Sequence, residues 1–318
     1  MIKYNMPGLY EHKHLILFLL DLYHKNREFF RPNVKIESVF GNFPYCTWDG
    51  GRNFPHYTQS NKEEVLKFRD EYMLFGVHPR FIFTNPNIEE EDLDDRWCNF
   101  LLNAFNDTNS EIVINSALME NYIKDNYPSY KLVSSTTKCI VNPEKAIAEI
   151  ANSDYYQICI DYNLNKNMEF LESIPKEHRH KVEFLCNAIC PPNCPYRKQH
   201  YSDTGKSHMT YLKEKYTVLP YCGIKDEINH PNKIGQGNNL SFEDIEKYHA
   251  MGFQHFKLEG RTLDSGTVFA QFLYYLIDPK YHFLVIEIAL RSGALLNGYN
   301  DRAIYEYQGL KKHSDITW

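Results

Sequence analysis

The sequence has no long hydrophobic run. Its most apolar stretch is LILFLLDLY (Leu15 to Tyr23), which is nine residues long and contains Asp21. A helix that crosses a bilayer needs about 20 apolar residues, so we predict that this segment forms a helix that packs on the core. The sequence also shows no secretory signal with a small-residue cleavage site. We therefore expect a cytoplasmic protein without a membrane partner, in which the eight cysteines stay reduced.

The sequence also lacks an excess of basic residues. Its 35 Lys and Arg against 41 Asp and Glu give a formal net charge of −6, which does not support broad nucleic-acid binding. No glycine-rich phosphate loop follows the first predicted strand, so a dinucleotide-binding fold is disfavoured. Neither HExxH nor GxSxG occurs, so the common zinc-protease and serine-hydrolase motifs are absent. A metal-free Cys–His protease that uses Cys190 and His200 stays open.

Strand-like and helix-like segments alternate along most of the chain. Two of the predicted helices carry an N-cap residue and a terminal glycine, at Asn61 with Gly76 and at Ser241 with Gly252. Serial strand–helix units predict an α/β fold in which a parallel sheet closes into a TIM-like (β/α) barrel, with an open doubly wound sheet as the alternative. The predicted strands are VKIESVF (Val34 to Phe40), RFIFTN, EIVINSA, YKLVSSTT, YYQICIDYN, KVEFLCNA (Lys181 to Ala188) and QHFKLEG (Gln254 to Gly260).

We predict a single domain over residues 1–318. An α/β barrel of about 250 residues with additions would use a chain of this length. The barrel core is placed at residues 34–275 and a C-terminal extension at residues 276–318. A long irregular insertion, residues 201–239, follows the sixth predicted strand; it is polar and contains His and Asn.

Polar residues mark the ends of the predicted strands, where the functional groups of such barrels lie. Strand parity places Glu183 and Asn187 on the face that points into the barrel. Lys257 and Glu259 share a face of the last strand, and Arg261 follows with a guanidinium fork that suits a carboxylate or phosphate. We predict that these residues bind substrate; an internal ion pair that closes the barrel is the alternative. Arg197 and His200 follow the cysteine-containing loop and are further candidates.

Three cysteines occur at intervals of four in CNAICPPNCPYRKQH (Cys186 to His200). Cys190 and Cys194 lie beyond the strand, on a loop that its prolines stiffen, and such a pair of thiolates can hold a soft metal. Cys222, in the later part of the insertion, is the natural third ligand, and Cys46 is a candidate for the fourth. Parity predicts that Cys186 packs in the core, and Cys98, Cys139 and Cys159 are interpreted as structural.

The spacing of these cysteines restricts the kind of metal site. Paired CxxC knuckles, which a zinc ribbon needs, are absent, and Arg197 stands where a radical-SAM motif would need its third cysteine. An iron–sulfur cluster tolerates looser spacing because its ligands can come from several loops. An iron with an open coordination position stays possible by this reasoning, and a separate site on His200, His208 and His230 is disfavoured by their irregular spacing.

Two longer stretches resemble the peptidase U32 family. They are VEFLCNAICPPNCPYRKQHY and LSFEDIEKYHAMGFQHFKLEGR, and INSALMENYIKDNYPSYKLVSSTT resembles the middle of the family, so the similarity spans residues 34 to 275. The resemblance implies a TIM-barrel fold and a [4Fe-4S] cluster on four cysteines near the barrel mouth. Cys190, Cys194 and Cys222 match family cysteines, and Cys46 stands where one ubiquinone-pathway branch has a cysteine.

The resemblance also carries a functional expectation. Several U32 members are similar to iron–sulfur proteins that support oxygen-independent hydroxylation of ubiquinone precursors or RNA bases. We therefore expect a redox protein that assists hydroxylation or a related modification of a small aromatic or nucleobase substrate. The alternatives are a peptidase and a noncatalytic iron–sulfur subunit with a heteromeric partner of the same family. The identity of the substrate does not follow from the resemblance.

Overall fold

The strand–helix alternation of the sequence folds into a closed barrel of eight parallel strands, which neighbour one another in chain order. The structure is a computed structural model that describes residues 1–52, 60–106, 109–210 and 234–295. The predicted barrel is confirmed, and the open-sheet alternative is not observed. The strands are β1 (Ile2–Pro7), β2 (Val34–Gly41), β3 (His78–Phe83), β4 (Glu111–Ile114), β5 (Lys131–Ser134), β6 (Gln157–Cys159), β7 (Val182–Leu185) and β8 (His255–Lys257).

Ten α-helices occur in the described part of the chain, and most of them cover the outside of the barrel. Their apolar faces and the outward faces of the strands form one continuous core. The helices are α1 (Lys13–Lys25), α2 (Lys62–Met73), α3 (Arg96–Phe105), α4 (Ala117–Asn126), α5 (Pro143–Ala151), α6 (Met168–Ser173), α7 (Arg197–Met209), α8 (Phe242–Ala250), α9 (Ser265–Leu276) and α10 (His282–Ser292). None of the described helices combines the length and the apolar character that a bilayer span requires.

The sequence reading missed the first strand of the barrel. β1 pairs in parallel with both β2 and β8 and so closes the sheet. The barrel therefore begins at Ile2 rather than at Val34, and the strand that carries Glu183 is the seventh and not the sixth. The first residues of the insertion placed at 201–239 are helical rather than irregular, because α7 extends through Met209; residues 211–233 lie outside the described part of the chain.

The local helix signals in the sequence are confirmed. Asn61 and Glu64 form a reciprocal capping box at the start of α2, and Ser241 forms one with Asp244 at the start of α8. Each box satisfies backbone N–H groups that the first helical turn leaves without partners. The apolar run in α1 buries Leu15, Ile16, Leu19, Leu20 and Leu22 against the core, as predicted.

The interior of the barrel is filled in layers, because inward-facing residues recur at every second position of each strand. The layer nearest the amino ends of the strands is polar and centres on Arg80, which is fully buried. Its Nε donates to Glu111 Oε2 at 2.6 Å, its Nη1 to Glu183 Oε1 at 2.5 Å and its Nη2 to Gln157 Oε1 at 2.6 Å. The next layer toward the mouth is apolar and contains Phe40, Ile82, Val113 and Val133.

Candidate functional site

The carboxyl ends of the strands surround a cavity of about 620 Å³, counted with the part that is open to solvent. Phe40, Ile82, Val113 and Leu185 form its apolar floor, directly above the buried polar layer. The walls come from the loops that follow the strands and from α7. The described wall residues are Gly50, Gly51, Arg52, Thr84, Ser135, Thr136, Thr137, Tyr162, Cys190, Tyr201, Lys257, Glu259 and Arg261.

Lys257 reaches the cavity from the end of β8. Its side chain is buried, and Nζ lies 4.1 Å from the centroid of the Phe40 ring. Within the described residues, Nζ has no hydrogen bond and no ion pair. Burial lowers the pKa of Lys257, and the nearby Glu183 carboxylate opposes this effect. The cation therefore depends on Glu183 at a distance and on the face of the Phe40 ring for its stabilisation.

Arg52 connects three of the loops that form the cavity wall. It forms an ion pair with Glu259, and its two terminal nitrogens lie 3.9 Å from Cys190 Sγ. Burial alone would lower the pKa of Arg52, but Glu259 and Cys190 outweigh it and raise the pKa. Glu259 also accepts a hydrogen bond from Ile189 N at 2.9 Å. Sequence reasoning missed Arg52, since nothing in its neighbourhood DGGRN distinguishes it from an ordinary turn residue.

Arg261 lines the cavity but also holds a loop in place. Its Nη1 lies 3.1 Å from Asp49 Oδ2, and its Nη2 donates to Gly50 O at 3.1 Å. The predicted alternative of an internal ion pair therefore applies to Arg261, and Glu259 likewise pairs with Arg52. Both residues line the cavity as well, so the two interpretations of these residues do not exclude each other.

Several polar atoms of the cavity wall are buried without a hydrogen-bond partner. Among the described residues they are Arg52 Nε, Thr84 Oγ1 and Thr136 Oγ1. A buried polar group that forms no hydrogen bond costs about 1–3 kcal/mol. The cavity thus has donors that a polar ligand would satisfy. Both threonines belong to strand ends that the sequence already marked as polar, FTNPN and SSTTK.

Glu183 and Asn187 were expected to face this cavity, and neither lines it. Glu183 lies one layer below, in the ion pair with Arg80, because Leu185 is the β7 residue that reaches the floor. Asn187 Nδ2 donates to Glu259 O at 2.8 Å, and its Oδ1 accepts from Glu259 N at 2.6 Å. Asn187 therefore positions the loop that carries Glu259.

Arg197 and His200 lie behind the cavity wall. Arg197 forms an ion pair with Asp161, and its guanidinium lies 4.6 Å from the centroid of the Tyr162 ring. It supports Tyr162, which does line the cavity. Burial and the charge of Arg52 lower the pKa of His200 to about 4, so its imidazole is neutral at pH 7. His200 stacks on Tyr201 with ring centroids 6.1 Å apart, and Tyr201 is the residue of this pair in the wall.

No three of the predicted metal-binding cysteines are grouped within the described part of the chain. Cys190 lines the cavity, and Cys194 is half-buried on the same loop. Cys222 lies outside the described residues, as does His230. Cys46 lies in the core with its Sγ 3.4 Å from Cys98 Sγ, and burial raises the pKa of its thiol. Cys186 packs in the same core, as strand parity predicted.

A [4Fe-4S] cluster needs four thiolate or equivalent ligands. No three His, Cys, Asp or Glu side chains within the described ranges are placed so that they could hold a metal ion. Cys190 and Cys194 are two of the four predicted ligands. Cys46 is not favoured as a third ligand, because its sulfur contacts Cys98 in the core. The described residues by themselves do not fit a cluster; Cys222 would supply a third thiolate, and a fourth ligand would still be needed.

Comparisons with known proteins support the fold. No family model matches the chain, and no curated protein matches it. A solved structure described as "The Structure of the U32 Peptidase Mk0906" has a TM-score of 0.50 and 15% sequence identity, over 82% of this chain and 93% of that chain. At this identity the likeness shows the fold alone. The chain is therefore similar in architecture to a U32 peptidase, which agrees with the fold that the sequence resemblance implied.

Proposed function

We propose that the cavity at the barrel mouth binds a small organic anion and is the site of its chemical modification. The observation that carries the proposal is the charge of the wall. Arg52, Lys257 and Arg261 line it, whereas Glu259 is its sole carboxylate within the described residues. Glu259 pairs with Arg52 and Asp49 pairs with Arg261, so the positive charge that a carboxylate ligand would balance is that of Lys257.

The donors of the wall suit such a ligand. Three buried polar atoms have no hydrogen-bond partner within the described part of the chain: Arg52 Nε, Thr84 Oγ1 and Thr136 Oγ1. Lys257 Nζ likewise forms no hydrogen bond there and lies over the Phe40 ring. A carboxylate accepts several hydrogen bonds, and those from charged donors are about twice as strong as neutral ones. The apolar floor and the rings of Phe40 and Tyr162 would contact the rest of the ligand, as is usual in small-molecule sites.

The test compares charged ligands with neutral ligands of the same shape. Benzoate and lactate are titrated against the protein, with benzamide and lactamide as their counterparts, and binding is followed by calorimetry and ligand-observed NMR. We expect the anions to bind more tightly than the amides. Lys257→Met removes one cation without breaking an ion pair, and it should weaken anion binding by roughly 1.5–3 kcal/mol, the usual loss of a charged hydrogen bond.

Arg69→Gln is the matched control, because Arg69 lies on α2 and pairs with Asp70 outside the cavity. It should leave anion binding unchanged. Arg52→Gln is the second cavity variant, and it should weaken binding together with a loss of stability, since it leaves Glu259 without its partner. Equal binding of anions and amides, or an equal effect of Arg69→Gln and Lys257→Met, would overturn the proposal.

We propose iron–sulfur redox chemistry as the second candidate function, with a small aromatic or nucleobase substrate. The observation that favours it is the position of Cys190 in the cavity wall, four residues before Cys194. Cys190, Cys194 and Cys222 would hold the cluster, which would supply electron transfer beside the bound substrate. Arg52 would lie beside the cluster ligand Cys190, since both of its terminal nitrogens lie 3.9 Å from that sulfur.

Anaerobic purification with iron and sulfide analysis tests this candidate. Iron, sulfide and a visible charge-transfer absorbance should be present in the wild-type protein and absent from Cys194→Ser. Cys98→Ser is the control and should retain them, because Cys98 lies in the core with Cys46. An iron-free protein would overturn the candidate. If the iron-free protein cleaves peptides and Cys190→Ser abolishes this cleavage, the peptidase alternative would be favoured instead.

A further inference from the structure

We propose that Lys257 forms an imine with the carbonyl group of a small oxo acid held in the cavity. The inference rests on the proposed anion site and names the substrate class that would use it. The nucleophile is the Nζ amine, the electrophile is an aldehyde or ketone carbon, and the carboxylate of the same ligand would occupy the cationic wall.

The position of Lys257 separates it from the lysines that form ordinary ion pairs. Lys138 pairs with Glu149 at 2.6 Å, and Lys124 pairs with Asp154 at 2.7 Å. Lys257 is buried, lines the cavity and has no such partner within the described residues. Its nitrogen is therefore the amine that a ligand in the cavity would meet.

The surroundings of Lys257 make it easier for its ammonium group to lose a proton, and the neutral amine is the form that nucleophilic attack requires. Burial lowers its pKa, and the positive charges of Arg80 and Arg261 act in the same direction. Glu183 and Cys159 act against them. Glu183 lies in the layer below, where it pairs with Arg80 and forms no ion pair with Lys257. A lysine in apolar surroundings with cationic neighbours is a recognised form of activated amine.

The proposed reaction is balanced without an oxidant or a reductant. The Nζ lone pair forms a C–N bond with the carbonyl carbon, and the C=O π electrons move to oxygen, which takes up a proton. The nitrogen supplies that proton from one of its own two N–H bonds, and the hydroxyl of the resulting carbinolamine takes up a further proton from the solvent and leaves as one molecule of water. The product is an iminium ion, because the nitrogen lone pair forms the second C–N bond and the nitrogen retains one proton.

Reductive trapping tests the imine directly. The protein is incubated with pyruvate and sodium cyanoborohydride, a hydride donor that reduces an iminium ion to a stable secondary amine. Intact-mass measurement should show one reduced adduct, and peptide mapping should place it on Lys257. Excess lactate, which occupies an anion site but has no aldehyde or ketone carbonyl, should suppress the labelling. Lys257→Arg retains the positive charge and should lose the adduct, whereas Lys138→Arg should retain it.

The outcomes distinguish this proposal from the anion site on which it rests. Binding of lactate and pyruvate without an adduct on Lys257, or with adducts spread over surface lysines, would overturn the imine and leave the anion site standing. Absence of anion binding would overturn both. The peptide map of the wild-type protein decides the question even when Lys257→Arg fails to fold.

Discussion

Arg80 and Glu183 form an ion pair inside the barrel, with Nη1 and Oε1 2.5 Å apart and both side chains inaccessible to solvent. Arg80 also pairs with Glu111 on β4, so one guanidinium joins β3 to β4 and β7. This cluster lies directly below the floor of the cavity. Glu183 is held in this cluster, where its charge acts on Lys257 without forming an ion pair with it, so the packing of the barrel is connected to the chemistry of its mouth.

Replacement of Arg80 should be strongly destabilising. Arg80→Met leaves Glu111 and Glu183 buried without their cation, and removal of one partner from a buried ion pair costs about 3–5 kcal/mol. Urea denaturation followed by circular dichroism measures the change. Lys25→Met is the control, because its ion pair with Asp21 is exposed and should contribute about 0–1 kcal/mol. Similar losses in the two variants would contradict the prediction.

Glu11 should make the stability of the protein fall with rising pH. Its carboxyl oxygens are buried and lack partners in the described residues, and burial raises its pKa from 4.5 to about 8 although Arg261 opposes the shift. Between these two values the folded state binds more protons than the unfolded state, so the free energy of unfolding decreases as pH rises.

Glu11→Gln should remove this contribution. Relative to the wild-type protein, its free energy of unfolding should increase from pH 5 to pH 8, by at most about 1.4 kcal/mol per pH unit, the value for one proton. Urea titrations of both proteins across this range provide the measurement. Parallel stability curves would show that Glu11 is ionised in the folded protein.

Gly50 should tolerate no side chain. A Cβ at this position would lie 2.5 Å from Thr84 O, a backbone atom that cannot move aside easily. Gly50→Ala should therefore displace the loop that carries Arg52, cost about 1–3 kcal/mol and weaken anion binding. Gly76→Ala is the control, since φ is +63° there but the space around it is open. It should cost about 1 kcal/mol through backbone strain and leave anion binding intact.

Ser241→Ala should test the capping box of α8. The Ser241 hydroxyl accepts a hydrogen bond from Asp244 N at 3.1 Å, and loss of such an N-cap costs about 1 kcal/mol. Thermal unfolding should show a lower midpoint with anion binding unchanged. Ser153→Ala alters an exposed serine and should leave the midpoint where it is; an equal decrease in both variants would refute the role of the cap.

The sequence by itself determined the parts of this protein that depend on local chemistry. Alternation of strand and helix patterns predicted the barrel, and the capping residues Asn61 and Ser241 marked the helix starts where they occur. Strand parity correctly predicted that Cys186 faces the helices and that Lys257 and Glu259 lie on the cavity side. These features follow from neighbours along the chain and from the two-residue period of a strand, so they can be read without the fold.

Tertiary structure decided everything that depends on contacts between distant segments. β1 is a strand because β2 and β8 flank it, and its own residues give a weak signal. Arg52 joins the site because Glu259, 207 residues away along the chain, lies opposite it. Glu183 was assigned to the cavity by parity alone, but parity gives the face of a strand and not the depth along the barrel axis. Pairing between strands sets that depth, so Glu183 lies with Arg80 one layer below the mouth, and Leu185 forms the floor.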